Sequence, residues 1–102
     1  MKYGLGDTSL KKINSIFEKF PAVEKVVLYG SRAKGNFRKG SDVDLTLLGN
    51  DLDFDVLDKI KLEFDDSSLP YKFDISIFST LSDPDFLDHI KRVGVVFYER
   101  EK

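Results

Sequence analysis

Residues 28–45 read Leu28-Tyr29-Gly30-Ser31-Arg32-Ala33-Lys34-Gly35, then Asn36-Phe37-Arg38-Lys39-Gly40, then Ser41-Asp42-Val43-Asp44-Leu45. The stretch opens at the end of a β-branched run, Val23 to Tyr29, which reads as a strand stopped by Gly30-Ser31. Ser31 to Gly35 reads as a single helical turn, and Asn36 to Ser41 as a loop punctuated by Arg38, Lys39 and Gly40. Asp42 to Leu48 then alternates. Asp42, Asp44 and Thr46 face one way, and Val43, Leu45 and Leu47 the other, which is the period of a half-buried strand.

Working outward, Leu10, Ile13, Phe17 and Phe20 follow a helical period over 7–20, with Asp7 or Thr8 as the expected cap and Pro21 as the stop. Beyond the Gly49-Asn50-Asp51 break, Phe54, Leu57, Ile60 and Phe64 outline a second amphipathic helix, ended by Asp66-Ser67-Ser68 and Pro70. Lys72 to Phe78 alternates again, with Phe73, Ile75 and Ile77 opposite Lys72, Asp74 and Ser76. Ser82-Asp83-Pro84-Asp85 reads as a helix start, with Pro in the first turn and acids at the positive dipole end. Phe86, Leu87 and Ile90 form its apolar face, Gly94 stops it, and Val95 to Tyr98 is a last strand. The order αβ(turn)βαβαβ predicts an α/β (α+β) domain: a small mixed β-sheet of about four strands with helices packed on one face.

Composition bounds the function. The 102 residues suit one modest domain, 1–102, and leave no room for a separate substrate domain. Hydrophobic residues at 41% and charged residues at 33% describe a soluble globular chain. Sixteen basic against 18 acidic residues leave a net charge of −2, which argues against nucleic acid as a direct ligand held by bulk charge. The absence of cysteine excludes disulfides, thiolate zinc sites and a cysteine nucleophile. No apolar run approaches the roughly 18 residues of a membrane helix, and Met1 to Leu10 lacks a signal-peptide core, so the expected compartment is cytoplasmic.

The chemistry lies in the acids. Asp42 and Asp44 leave their strand on the same side, and Asp74 joins them if the third strand lies beside the second. A carboxylate pair at about 4 Å costs up to about 4 kcal/mol at an effective dielectric near 20. A divalent cation removes that repulsion, and Mg²⁺ takes a few carboxylates together with substrate phosphates. Taken singly, each acid has a bland reading: a turn stabiliser at Asp42, solvated acids on an open face at Asp44 and Asp74. Strands are poor in Asp, and two stand mid-strand here, so the three together point to a metal site. Upstream, Gly30 lets the backbone approach a ligand, and Ser31 can donate to phosphate. Arg32, Lys34, Arg38 and Lys39 are cations that could meet phosphate charge, or solvated residues of an ordinary turn.

Gly30-Ser31, ten residues, then Asp42-Val43-Asp44 resembles the GS-x10-DxD signature of the DNA polymerase β-like nucleotidyltransferases, with Asp74 as the third carboxylate. The span from Leu28 to Leu45, with the closing Ile90 to Tyr98, resembles their minimal stand-alone members, the MNT proteins. The resemblance implies the nucleotidyltransferase fold. It implies that Asp42, Asp44 and Asp74 hold two Mg²⁺ ions and catalyse, with Asp74 accepting a proton. Gly30 and Ser31, with Arg32 and Lys34, would bind the nucleotide. It further implies that AMP passes from ATP to a hydroxyl, a Tyr in expectation, of a small helical HEPN-family toxin that this chain neutralises.

Two other functions fit the same residues. The chain could neutralise a partner by stoichiometric binding, with nucleotide as a mere ligand, or transfer a nucleotide to a small molecule. In each transferase reading the acceptor surface must come from a partner or a second copy in a homo-oligomer, because the chain has little surface to spare. Asp51-Leu52-Asp53-Phe54-Asp55 opens like a calcium loop but has Val56 and Leu62 where Gly and Glu are needed. Gly4-Leu5-Gly6 follows no strand and is not a dinucleotide loop. His89, the lone histidine, reads as a surface or packing residue. Tyr29 reads as core, with a place beside the nucleotide as the alternative.

Overall fold

The computed structural model describes residues 1–101. Its elements are α1 (Asp7–Glu18), β1 (Lys25–Tyr29), α2 (Ser31–Lys34), β2 (Val43–Leu48), α3 (Phe54–Asp66), β3 (Phe73–Ile77), a 3₁₀ turn (Phe78–Thr80), α4 (Pro84–Val93) and β4 (Val95–Glu99). The order is the expected one. The ends move by one or two residues, except at α1, where the cap is Gly6 without a side-chain bond and Asp7 is already helical. Asp53 caps α3 by accepting from the Val56 N–H at 2.8 Å, and Asp83 caps α4 by accepting from the Asp85 N–H at 3.0 Å. Asp53 of the calcium-loop look-alike is thus a helix cap, and Asp55 lies in the first turn at the positive end of the helix.

The sheet runs β3-β2-β1-β4. β1 pairs antiparallel with β2 and β4, whereas β2 and β3 are parallel. Parallel neighbours need a crossover, and α3 supplies it. Val26, Leu28, Val43, Leu45, Leu47, Ile75 and Ile77 turn to one face and bury against Ile13, Ile16 and Phe17 of α1 and Leu57, Ile60 and Phe64 of α3. Phe17 and Phe64 meet at 5.4 Å between ring centroids. Truncating the fully buried Phe17 to Ala would cost about 3–5 kcal/mol.

α1 and α3 take the face expected of the helices. α4 does not join them. It passes over the opposite face, with Phe86 edge-on to Tyr29 at 5.3 Å. The chain must return from β3 at one edge of the sheet to β4 at the other, and this crossing buries the apolar stripe of α4. The face that reads as polar in the sequence is therefore partly covered, with Asp74 left exposed at one end. Thr46, on that face, is fully buried and accepts from the Ser76 hydroxyl at 3.1 Å. Among the described residues no helix is long and apolar enough to cross a membrane.

Candidate active site

The open end of that face is where β1 finishes and β2 and β3 begin. Asp44 stands opposite Tyr29 in the antiparallel register and opposite Asp74 in the parallel one. Strands lie about 4.8 Å apart, so Asp44 and Asp74 are immediate neighbours pointing the same way. Asp42 lies one step before β2 and is exposed. Gly30 has φ 76° and ψ −158°, a backbone region essentially reserved for glycine. A Cβ built there would overlap the Asp44 carboxylate. The two halves of the sequence motif, separated by ten residues, thus touch because β1 and β2 are antiparallel neighbours and the segment between them folds back.

The electrostatics follow from this crowding. Burial pushes the Asp44 carboxyl above its ordinary pKa, and the charges of Asp74 and then Asp42 push it further in the same direction. His89 and Arg32 pull it back down. Burial, then Asp74 and Asp44, push the Tyr29 phenol up to about 12. Negative charge is concentrated at this end, and cation binding would relieve it. Carboxylate oxygens on adjacent strands fit Mg²⁺ as donors. Among the described residues no three His, Cys, Asp or Glu side chains are gathered closely enough to hold an ion by themselves. The donor set suits an ion whose shell nucleotide phosphates would complete.

The structure thus brings Gly30, Asp44 and Asp74 together, with Ser31 opening α2 beside them and Asp42 within electrostatic range. Lys34 is exposed at the end of α2. None of the ion pairs among the described residues uses Lys34, Arg38 or Lys39. Arg32, expected to meet phosphate, is placed otherwise. It is 3% exposed, and its Nε and Nη2 both donate to the Ser41 carbonyl, at 3.1 and 2.8 Å. Its charge is still felt at Asp44.

His89, read from the sequence as a surface or packing residue, packs beside the site. Its ring lies edge-on to Tyr29, 6.2 Å between centroids, on the carboxylate face. No local signal marks this residue, because only the path of α4 across the sheet brings it there. Beside the carboxylates, Asp42, Lys61, Asp65, Tyr71 and Lys72 border a groove of about 520 Å³.

The chain resembles known proteins along nearly its whole length. Residues 11–102 match the family model described as "Polymerase beta, Nucleotidyltransferase". The probable protein adenylyltransferase MntA of Haemophilus influenzae is 36% identical over 91 residues, spanning 88% of this chain and 79% of that protein. Among solved structures, a toxin–antitoxin complex with AMP-PNP superposes with a TM-score of 0.71 at 20% identity, over 90% of this chain and 74% of the other. An MNT antitoxin bound to a tri-AMPylated HEPN toxin of Shewanella oneidensis superposes with a TM-score of 0.57 at 18% identity, over 89% and 70%. At such identities these two structures speak for the fold. The family model, the MntA relative and the Gly30-Ser31 to Asp42-Val43-Asp44 geometry agree, and the chain belongs to the polymerase β nucleotidyltransferase family.

Proposed function

We propose that this chain is a Mg²⁺-dependent protein adenylyltransferase that passes AMP from ATP to a hydroxyl, in particular a Tyr hydroxyl, of a HEPN-type toxin, and so acts as its antitoxin in the cytoplasm. The observation that carries the reading is the parallel pairing of Asp44 with Asp74, set against the Gly30 backbone. The MntA relative and the AMPylated HEPN complex support the choice of AMP and of partner.

Gly30 and Ser31 would receive the triphosphate tail, the glycine by close backbone approach and the serine by its hydroxyl. Bound to Asp42, Asp44 and Asp74, Mg²⁺ would offset charge on the attacking and leaving oxygens. The acceptor oxygen attacks the α-phosphorus, and Asp74, exposed on its strand, takes the hydroxyl proton. The bond from the α-phosphorus to the bridging oxygen breaks, and pyrophosphate leaves with that oxygen. The adenylyl group replaces the hydroxyl proton, so the partner gains the mass of AMP less one water.

Incubation with α-labelled ATP, Mg²⁺ and the HEPN protein tests this. Label on a Tyr of the partner, lost in Asp42→Asn/Asp44→Asn, is the expected result. An unlabelled partner that the Asp42→Asn/Asp44→Asn/Asp74→Asn variant still neutralises fully would instead establish stoichiometric binding.

A further inference from the structure

Arg32 is the meeting point of four chain segments. It belongs to α2, directly after Gly30-Ser31. Through the Ser41 carbonyl it holds the residue before Asp42. Its guanidinium lies over Phe37 at 5.3 Å and over Tyr71 at 5.4 Å, the first in the loop before Asp42 and the second just ahead of β3. Its Nη1 donates to the Tyr3 carbonyl at 2.9 Å. The loop it closes is itself folded tightly. The Ser41 N–H donates to the Arg38 carbonyl at 3.0 Å, and the Arg38 N–H donates to the Ser41 hydroxyl at 2.8 Å.

The N-terminal contact is unusual. Lys2 and Leu5 exchange both backbone hydrogen bonds, at 3.1 and 2.8 Å, around a two-residue turn. Both central residues are left-handed, Tyr3 at φ 56° and Gly4 at φ 74°. That is the backbone of a type I′ turn, in which Gly is at ease and Tyr is not. Local propensity therefore does not favour this conformation, and docking must hold it. The docking groups are Leu5, which is fully buried, Tyr3, whose ring meets Phe97 at 6.1 Å, and the bond from Arg32. A Cβ on Gly4 would lie 2.7 Å from Arg32 Nη1 and overlap the Phe37 ring, so the turn rests flat against the clamp. The stretch matched to the family model begins at residue 11, after this turn.

We propose that Arg32 is a positioning residue whose guanidinium, backed by the Tyr3-Gly4 turn, locks the Gly30-Ser31 loop to Ser41-Asp42 so that phosphate and carboxylate groups face each other at fixed separation. The catalytic consequence rests on the adenylyl-transfer reading; the lock itself does not. Ten residues separate Ser31 from Asp42 in sequence, and a free spacer of that length would let the two groups drift. One side chain with a planar fork removes that freedom. Lysine keeps the charge but cannot bond Ser41 through two nitrogens, reach Tyr3 and stack on two rings at once.

Arg32→Lys and Gly4→Ala test the proposal by two readouts. The first is amide hydrogen exchange over residues 36–43, which needs no activity. We expect it to quicken at least tenfold in both variants. The second is transfer kinetics at a temperature where each variant is folded. We expect kcat to fall tenfold or more while the KM for ATP changes less than threefold. Gly4→Ala carries no charge change, so a matching effect there supports the lock. Should Arg32→Lys fail to fold, Phe37→Leu, which loosens one side of the clamp, takes its place with the same expectation. Unchanged exchange over 36–43 in the folded variants overturns the lock. A raised KM with kcat preserved also overturns it, and makes Arg32 a direct phosphate contact. If the wild-type protein transfers no AMP, the proposed function fails while the exchange data still decide the lock.

Discussion

Asp44→Asn should make the ligand-free protein more stable while removing its response to Mg²⁺ and ATP. Asp44 and Asp74 are register partners on parallel strands, so their charges sit about 5 Å apart. At that distance the repulsion is about 3 kcal/mol at an effective dielectric of 20 and under about 1 kcal/mol in water. Asp74 is exposed and Asp44 partly so, and solvent screening brings the net gain on neutralising Asp44 to roughly 1 kcal/mol. In a domain of this size that raises Tm by about 4–8 °C. The pH dependence has a definite sign. A carboxyl whose folded pKa is raised has its full stabilising weight below the unfolded value of about 3.9 and loses it as pH rises through the folded value. The advantage of Asp44→Asn is therefore largest near pH 7 and shrinks as the pH falls through the raised Asp44 pKa. Added Mg²⁺ and ATP at about 100 times Kd should stabilise the wild type by about 2.7 kcal/mol and the variant by far less. Differential scanning fluorimetry with and without ligand, at pH 7 and near pH 4, reads all of this. A ligand-free variant less stable than wild type at pH 7, or an equal ligand shift in both proteins, would refute the reasoning.

Three further outcomes follow from single contacts. Gly30→Ala forces a Cβ into the Asp44 carboxylate and a side chain into a glycine-only backbone region, at a cost of about 1–3 kcal/mol. Thermal melts should show that loss, and the labelled-ATP assay a drop in transfer of at least about tenfold, the scale of a misplaced reactive group. Tyr29→Phe should flatten the alkaline limb of stability. The buried phenol titrates near 12, so wild-type stability falls as pH rises from the unfolded value of about 10 toward 12, and a pH series of denaturant melts would follow it. Asp53→Ala removes the α3 cap and should cost about 1 kcal/mol with transfer unchanged, because Asp53 serves the helix and not the site.

Much of the fold is written locally. Val43, Leu45 and Leu47 alternate with Asp44 and Thr46, and a half-buried strand follows from that period whatever lies beside it. Asp83-Pro84 starts a helix because its side chain and ring satisfy a helix N-terminus on the spot. Arg32 shows the opposite case. A cation beside a phosphate-type loop reads as a phosphate ligand in sequence. Its placement depends on Tyr3, Ser41 and Tyr71, 29, 9 and 39 residues away, and no window of sequence contains all three. His89 is similar, since its approach to Tyr29 needs a helix to cross the whole sheet.

By itself, the sequence determined the order of elements, the two apolar strand faces and the motif of Gly30-Ser31 with Asp42 and Asp44, because periodicity, capping and spacing act over a few residues. It did not determine that β3 would settle parallel to β2, with Asp74 one strand away from Asp44. Nor did it determine that α4 would cover the polar face, or that Arg32 would turn inward. Those outcomes were decided by the tertiary structure, for one physical reason: each depends on burying apolar surface or pairing polar groups between segments far apart in the chain, where the packing of the whole core, and not the neighbouring residues, selects the partner.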